Sequence, residues 1–266
     1  MKAHAKINLA LVVGPARPDG MHEVVTILQR VDVYDDVSVG PAAELEVDGF
    51  DGDTIVADAL AALAEAAGVS PGWRATIEKR IPIAAGLGGG SSDAAAALAL
   101  ANELLDAPLS LPALDAVAAR VGADVPFFLR DRAQLATGSG TELAPLRLPL
   151  DYHVVLAIPE GVEKESTGAV YAAFDERGAA DGFPARAEQL REALGGIAAP
   201  RDLARLPPND LASSPLADEL RDLGAFRADV SGAGPAVYGL FAAAEAAHRA
   251  ADALRATGET FVTRPV

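Results

Sequence analysis

The chain has 266 residues, 50% of them apolar and 23% charged, with a formal net charge of −16 and no cysteine. That balance fits a globular protein with room for one large domain or two modest ones. The acidity excludes the basic face that nucleic acid or an anionic membrane surface requires, and the missing cysteines exclude disulfides, thiol nucleophiles and Cys-ligated zinc. Such a protein binds an anionic small molecule only locally, through backbone N–H groups and one or two placed cations. The four histidines, His4, His22, His153 and His248, show no H-E-x-x-H spacing. No apolar run approaches the ~20 residues of a membrane span. The apolar N-terminal stretch is short and broken by Lys6 and Asn8, so it does not read as a signal peptide, and a cytoplasmic protein is expected.

In chain order, residues 5–13 read as a strand, AKINLALVV. Period 2 puts Lys6 and Asn8 on one face, roughly 6.5–7 Å apart. Gly14–Gly20, GPARPDG, reads as a turn or loop. A second strand is expected over Val24–Val33, with Val37–Val39 extending or following it. Asp53 or Thr54 caps a helix that ends at Ala67 before Gly68. Arg74–Ile81 reads as a strand, Ser92–Leu105 as a helix, and Ser110 caps a further helix ended by Gly122. From about Leu150 the style changes. A strand over His153–Pro159 is followed by helices near 167–175, 186–194 and 215–223, a strand before Ser231, a strand over Ala236–Phe241, a helix near 244–256 and a last strand. This is a β-α-β-β-α-β, ferredoxin-like order with extra helices. It places a domain boundary near 150.

Between the Arg74 strand and the helix after it, four of the five positions from Gly86 to Gly90 are glycine. Glycine costs backbone entropy, yet this run leads into an alanine-rich helix. Ser91, Ser92 and Asp93 stand where N-caps belong. A helix N-terminus offers unpaired N–H groups and a partial positive charge, and glycines let those groups converge on an anion. Phosphate is the natural guest. The alternative is a plain strand-to-helix turn. The run fits neither G-x-x-x-x-G-K-[ST] nor G-x-G-x-x-G.

The stretch PIAAGLGGGSSDAA resembles the ATP-binding motif of the GHMP kinases, in a longer form found in one branch of that family. AKINLAL at 5–11 with RPDGMHE at 17–23, GADVPFFL at 122–129 and SGAGPAVYGLF at 231–241 resemble the other segments of that branch. The resemblance runs in order over nearly the whole chain. It implies an α+β fold of the GHMP kinase two-domain architecture. A ribosomal protein S5 domain 2-like ATP-binding domain would span residues 1–150, and a ferredoxin-like substrate domain residues 151–266. It implies transfer of the γ-phosphoryl group of ATP to the 2-hydroxyl of a cytidine-diphosphate methylerythritol, in non-mevalonate isoprenoid synthesis. Mg²⁺ is implied by ATP chemistry, without named ligands. A monomer or homodimer is expected.

The same resemblance implies the roles of individual residues. Asp124 is the base that accepts the hydroxyl proton, and Lys6 the cation that steadies Asp124 or the transferring phosphoryl group. Pro82, Ile83, Ala84, Ala85, Gly86, Leu87, Gly88, Gly89, Gly90, Ser91 and Ser92 hold ATP. Asn8 contacts the alcohol, His22 reads the cytosine edge, and Gly232 and Gly234 approach the substrate diphosphate. From spacing alone, Asp124 is equally a turn former, Lys6 a strand residue reaching solvent, His22 a surface histidine, and the glycines a hairpin turn. Two positions depart from the branch. Met21 stands where a tyrosine stacks on cytosine, and Asp53 where an asparagine lies near adenine. Tyr171 is the aromatic that would serve in place of Met21. A kinase of the same family for another small alcohol, and a non-catalytic nucleotide- or sugar-binding protein on the same scaffold, are the alternatives.

Overall fold

The computed structural model describes residues 1–50, 55–162 and 166–266. The proposed caps Asp53 and Thr54, and the adenine-pocket reading of Asp53, lie outside the described residues. The chain separates into two compact units that interleave along the sequence. One holds Met1–Ala5, Val33–Ile83 and Gly88–Asp131, the other Lys6–Asp32, Ala84–Leu87 and Arg132–Val266. Two long strands contribute to both, β1 (Lys2–Ala16) and β2 (His22–Pro41), which pair with each other.

In the first unit the end of β2 pairs antiparallel with β4 (Trp73–Glu78), from Asp36 opposite Glu78 to Pro41 opposite Trp73. A short β3 (Glu46–Asp48) lies parallel to β4. β4 buries Trp73, Ala75 and Ile77 and exposes the residues between them, the period of a half-buried strand. Helices α1 (Ile55–Ala67), α2 (Gly89–Glu103) and α3 (Leu111–Val121) complete the unit, with a single turn α4 (Val125–Phe128). Their core joins Leu60 and Leu63 of α1 to Ala94–Ala97 and Leu98 of α2 and to Leu114 and Val117 of α3. Four successive alanines give α2 a thin waist, so α1 packs closely on it without cavities that larger side chains would have to fill.

In the second unit the start of β2 pairs with β5 (Gln134–Thr137), which pairs with β6 (Glu142–Pro145). A separate antiparallel sheet runs in the order β10-β7-β9-β8, with β7 at His153–Pro159, β8 at Arg227–Val230, β9 at Val237–Phe241 and β10 at Gly258–Thr263. Numbered within that sheet the order is four-one-three-two, the ferredoxin-like arrangement expected from the element sequence. Helices α7 (Pro215–Asp222) and α8 (Ala244–Ala253) bury Leu216, Leu220, Ala247 and Ala251 against it. Helices α5 (Thr167–Glu176) and α6 (Phe183–Gly195) lie between β7 and β8 in sequence. Phe174 of α5 is fully buried with Leu11, Val13 and Val24. Burying such a ring contributes about 2–3 kcal/mol, and it seats α5 over β1 and β2. We propose that the sequence modules still divide near residue 150, between β6 and β7.

Several expectations are corrected. Gly14–Ala16 belong to β1 rather than to a loop. The reason is packing, since a Cβ on Gly14 would stand 2.8 Å from the Phe183 ring, so this strand position takes a glycine. The stretch at 37–39 extends the one at 24–33 in a single strand, β2, as one of the two readings has it, while the strand expected to reach Ile81 ends at Glu78. Helix α2 begins three residues earlier than expected. Its N-cap is Gly88, with a left-handed φ of 71°, and no side chain caps it. Ser92 and Asp93 are therefore buried helix residues, at 2% and 0% exposure, rather than caps. Ser110 does occupy the N-cap of α3, but its hydroxyl makes no capping bond. Sequence reading missed β3, β5 and β6, each of three or four residues.

Candidate active site

In the second unit, β1 carries Lys6 and Asn8 inward on one face, both 5% exposed. Lys6 Nζ donates to Asn8 Oδ1 at 2.7 Å, and Asn8 Nδ2 donates to Thr26 Oγ1 at 2.9 Å. Thr26 in turn donates to the Ala10 carbonyl at 2.7 Å. The relay fixes the Asn8 amide with its oxygen toward the ammonium. Above it lies the turn that follows β8. A Cβ on Gly232 would stand 3.3 Å from both Lys6 Nζ and Asn8 Oδ1. Only glycine keeps that space clear, and its φ of 59° favours glycine as well. Asn209, which sequence reading missed, holds the turn from below by donating to the Val230 and Gly232 carbonyls at 3.0 and 2.6 Å.

The start of the glycine stretch belongs to this same unit. Lys6 N–H donates to the Leu87 carbonyl, Ala236 N–H to the Ala85 carbonyl, and Ser231 Oγ to the Gly86 carbonyl, all within 2.9–3.0 Å. Gly86 has a φ of 83°, and a Cβ there would lie 2.4 Å from the Ser231 carbonyl oxygen. So one glycine of the run is demanded by the turn packed on it, whatever binds nearby. Ala84 adopts a left-handed φ of 57°, a strained setting for a residue with a side chain. Replacing Gly86 by alanine is expected to cost about 2–4 kcal/mol in urea unfolding. Gly40→Ala, where nothing lies within 4 Å and φ is ordinary, is expected to change stability by less than about 1 kcal/mol.

His22, Met21 and Tyr171 lie in this unit too. The His22 and Tyr171 rings sit 4.6 Å apart at 33°. His22 Nε2 lies 2.9 Å from Asp175 Oδ1, which orients the imidazole. Met21 is 45% exposed. Tyr171 of α5 stacks on His22, and Phe174 of the same helix meets it edge-on at 6.2 Å. Gly234 shares the turn with Gly232 and has a φ of 78°.

In the first unit, Pro82 is half-buried, Ile83 is 62% exposed, and Gly88 through Ser92 form the cap and first turn of α2. The first intrahelical bond there is Ser92 N–H to the Gly88 carbonyl at 2.9 Å. The amides of Gly89, Gly90 and Ser91 therefore lack intrahelical partners, as at any helix start. Beneath them Lys79 Nζ reaches Asp35 and Asp93 at 2.6 Å each, and both carboxylates are fully buried. Asp35 also accepts from the amides of Arg80 and Ile81, which turns the chain out of β4. Burial pulls the Lys79 ammonium down, but the two carboxylates outweigh it and its pKa is raised. Burial pushes the Asp93 carboxyl up to about 7, with Asp35 adding to the rise and Lys79 opposing it. The Lys79 cluster had no sequence signal, because its members lie 44 and 14 positions apart. Asp124 occupies the N-cap position of α4 with φ −84° and ψ −15°, yet its carboxylate does not cap that turn. It is half-buried.

One unit offers a glycine-led helix start with unpaired N–H donors, and the other a buried lysine bonded to an asparagine; both are features that small-molecule kinases use. The chain belongs to the GHMP kinase family. Residues 54–132 match the GHMP kinases N terminal domain and residues 185–260 the GHMP kinases C terminal domain. The 4-diphosphocytidyl-2-C-methyl-D-erythritol kinase of Nocardia farcinica is 38% identical over 97% of this chain and 90% of its own length. That of Chlorobium limicola is 35% identical over 100% and 96%. A crystal structure of 4-(cytidine 5'-diphospho)-2C-methyl-D-erythritol kinase superposes with a TM-score of 0.80 at 35% identity, covering 100% of this chain and 98% of that one. A mevalonate kinase, at 14% identity and a TM-score of 0.77, shares the fold.

Proposed function

We propose that this chain transfers the γ-phosphoryl group of ATP to the 2-hydroxyl of 4-diphosphocytidyl-2-C-methyl-D-erythritol. The observation that carries this reading is the buried Lys6–Asn8–Thr26 relay kept open by Gly232, in a chain 38% identical to a kinase of that name. Asn8 accepts from or donates to the alcohol. Lysine has three N–H donors, enough to hold Asn8 and address an oxygen of the alcohol or of the transferring phosphoryl group. The amides of Gly89–Ser91, with the positive end of α2, take the triphosphate. Asp124 takes the hydroxyl proton as the oxygen attacks the γ-phosphorus, the bond from that phosphorus to the bridging oxygen breaks, and ADP leaves.

Among the described residues no group of three His, Asp or Glu side chains is placed to hold a metal ion. That fits a Mg²⁺ carried on phosphate oxygens and water, the usual habit of this ion. Bound there it would neutralise charge on the phosphates. Among the described residues no helix is long and apolar enough to cross a membrane, and we place the protein in the cytoplasm. His22 and Tyr171 make an aromatic wall with a ring nitrogen able to donate or accept, which supports a pyrimidine as the recognised group. Replacing His22 by alanine is expected to raise KM for the cytidylyl substrate about 10–100-fold, the cost of one or two hydrogen bonds and a ring contact. KM for ATP should stay within about twofold.

The proposal is tested by a substrate panel. With ATP and Mg²⁺, the protein should phosphorylate the cytidylyl alcohol with kcat/KM at least about 10³-fold above homoserine or mevalonate. Turnover of either of those instead would assign the site to another alcohol.

A further inference from the structure

Asp93 lies one turn inside α2, fully buried, and its Oδ1 has no hydrogen-bond partner. Its Oδ2 takes Lys79, and the same ammonium takes Asp35. Lys79 Nζ stands 3.4 Å from where a Cβ on Gly89 would be. The cluster is therefore packed against the helix start that receives the triphosphate in the reading above, on which this inference rests. With all three groups ionised the cluster holds one positive and two negative charges, an excess anion buried behind an anion site.

We propose that Asp93 is a positioning residue that sets the strength of the nucleotide site: it is neutral when the triphosphate is bound, and its ionisation weakens binding.

A carboxylate one turn inside a helix still feels some of the positive helix end, though the effect fades past the first turn. An arriving triphosphate draws on the same partial charge and repels the carboxylate through a medium far less screening than water. A proton on Asp93 removes that repulsion, while Lys79 remains balanced by Asp35. Binding and protonation are then reciprocal, so ATP promotes proton uptake and protonation promotes ATP binding. Because the carboxyl sits at about 7 before nucleotide arrives, this exchange falls in the working pH range. The sign follows directly: affinity is high below that value and declines as pH rises through it.

Charged groups on the elements around α2 include Asp35 and Asp36 on β2, Asp58 and Glu65 on α1, Arg74 and Glu78 on β4, Lys79 and Arg80 after it, Asp115 and Arg120 on α3, and Asp124 before α4, with Asp36 paired to Arg80. Of these, Lys79 and Asp35 are the ones that act on the Asp93 carboxyl. Glu65 pairs with Arg120, Asp115 with Arg130, and Arg74 with Glu46. Sequence reading took Asp93 for a possible cap, and its burial is what changes the reading.

The test is calorimetry of ATP binding without the alcohol, with excess Mg²⁺, in two buffers of different ionisation heat. Wild type and Asp93→Asn are compared from about pH 5.5 to about pH 8.5. Titration of ATP itself is common to both proteins and cancels in the ratio of their Kd values. The expected result is that wild type weakens relative to the variant by about tenfold across that range, with proton uptake near pH 7.5 in wild type alone. A constant ratio and equal proton uptake would overturn the role of Asp93 and leave the nucleotide site standing. Failure of both proteins to bind ATP at every pH would remove the nucleotide reading and this inference with it. Should Asp93→Asn not fold, wild-type proton uptake decides alone: uptake near pH 7.5 supports the role, and none overturns it.

Discussion

Replacing Asp124 by asparagine is expected to lower kcat by about 10²–10⁴-fold, the range for loss of a general base. The Kd for ATP should stay within about twofold. The variant keeps the shape of the side chain and removes its charge and its ability to take a proton. The Asp124 carboxylate does not cap the turn it precedes, so no capping bond is lost, and urea unfolding reads any effect on the fold separately from turnover. Single-turnover rates with saturating ATP separate the chemical step from product release. Near-normal turnover would remove Asp124 from its role as base, and loss of ATP binding would make it a structural residue.

Replacing Lys6 by methionine is expected to lower kcat by about 10²–10³-fold, the usual loss when one charge-stabilising group is removed from a site. Methionine follows the lysine stem through its buried course, so the change is mainly one of charge and donors. Part of the cost to the fold comes from Asn8, whose Oδ1 loses the 2.7 Å bond from the ammonium. An unpaired buried amide oxygen costs about 1–3 kcal/mol, and urea unfolding reads it separately from turnover. Lys6→Arg should not rescue activity. The broader guanidinium has to fit where a Cβ on Gly232 would already stand 3.3 Å from the ammonium, and arginine does not replace lysine at a close-packed point charge. Full activity of Lys6→Arg would show that a cation anywhere in this region suffices.

Much of the fold was legible because its longer elements follow their own period. His153–Pro159 reads as a buried strand, and the helices of the second half carry apolar residues at helical spacing. From those elements the four-one-three-two sheet follows with few alternatives. The errors cluster where local preference and tertiary packing disagree. Gly14 and Pro15 look like a turn, yet β1 continues through them because a phenylalanine ring needs the space over Gly14. Gly89 and Gly90 look like the loop before a helix, yet they are its first turn. Four-residue strands such as β5 carry too few side chains for a period to show.

The candidate site divides the same way. That Lys6 and Asn8 share a face was a consequence of strand geometry, and their hydrogen bond agrees with it. The glycine run had two readings, an anion cradle or a tight turn, and the structure gives part of it a packing reason. Gly86 is bare because the turn at Ser231–Gly234 lies on it, and Gly88 because the helix opens from a left-handed residue. The amides after it lack intrahelical partners all the same. Lys79, Asp35 and Asn209 were invisible, since each acts through a partner distant in sequence that only folding brings near.

The most direct measurement is the proton-coupled ³¹P NMR spectrum of the product formed by the purified protein from ATP, Mg²⁺ and the cytidylyl alcohol. The 2-hydroxyl sits on a carbon without hydrogen, so a phosphate placed there has no three-bond coupling to a proton. The predicted result is a new phosphomonoester singlet that grows as ADP accumulates. A doublet or triplet would place the phosphate on a secondary or primary hydroxyl, and ADP formed without any new phosphoester would show hydrolysis instead of transfer; either would contradict the proposed reaction.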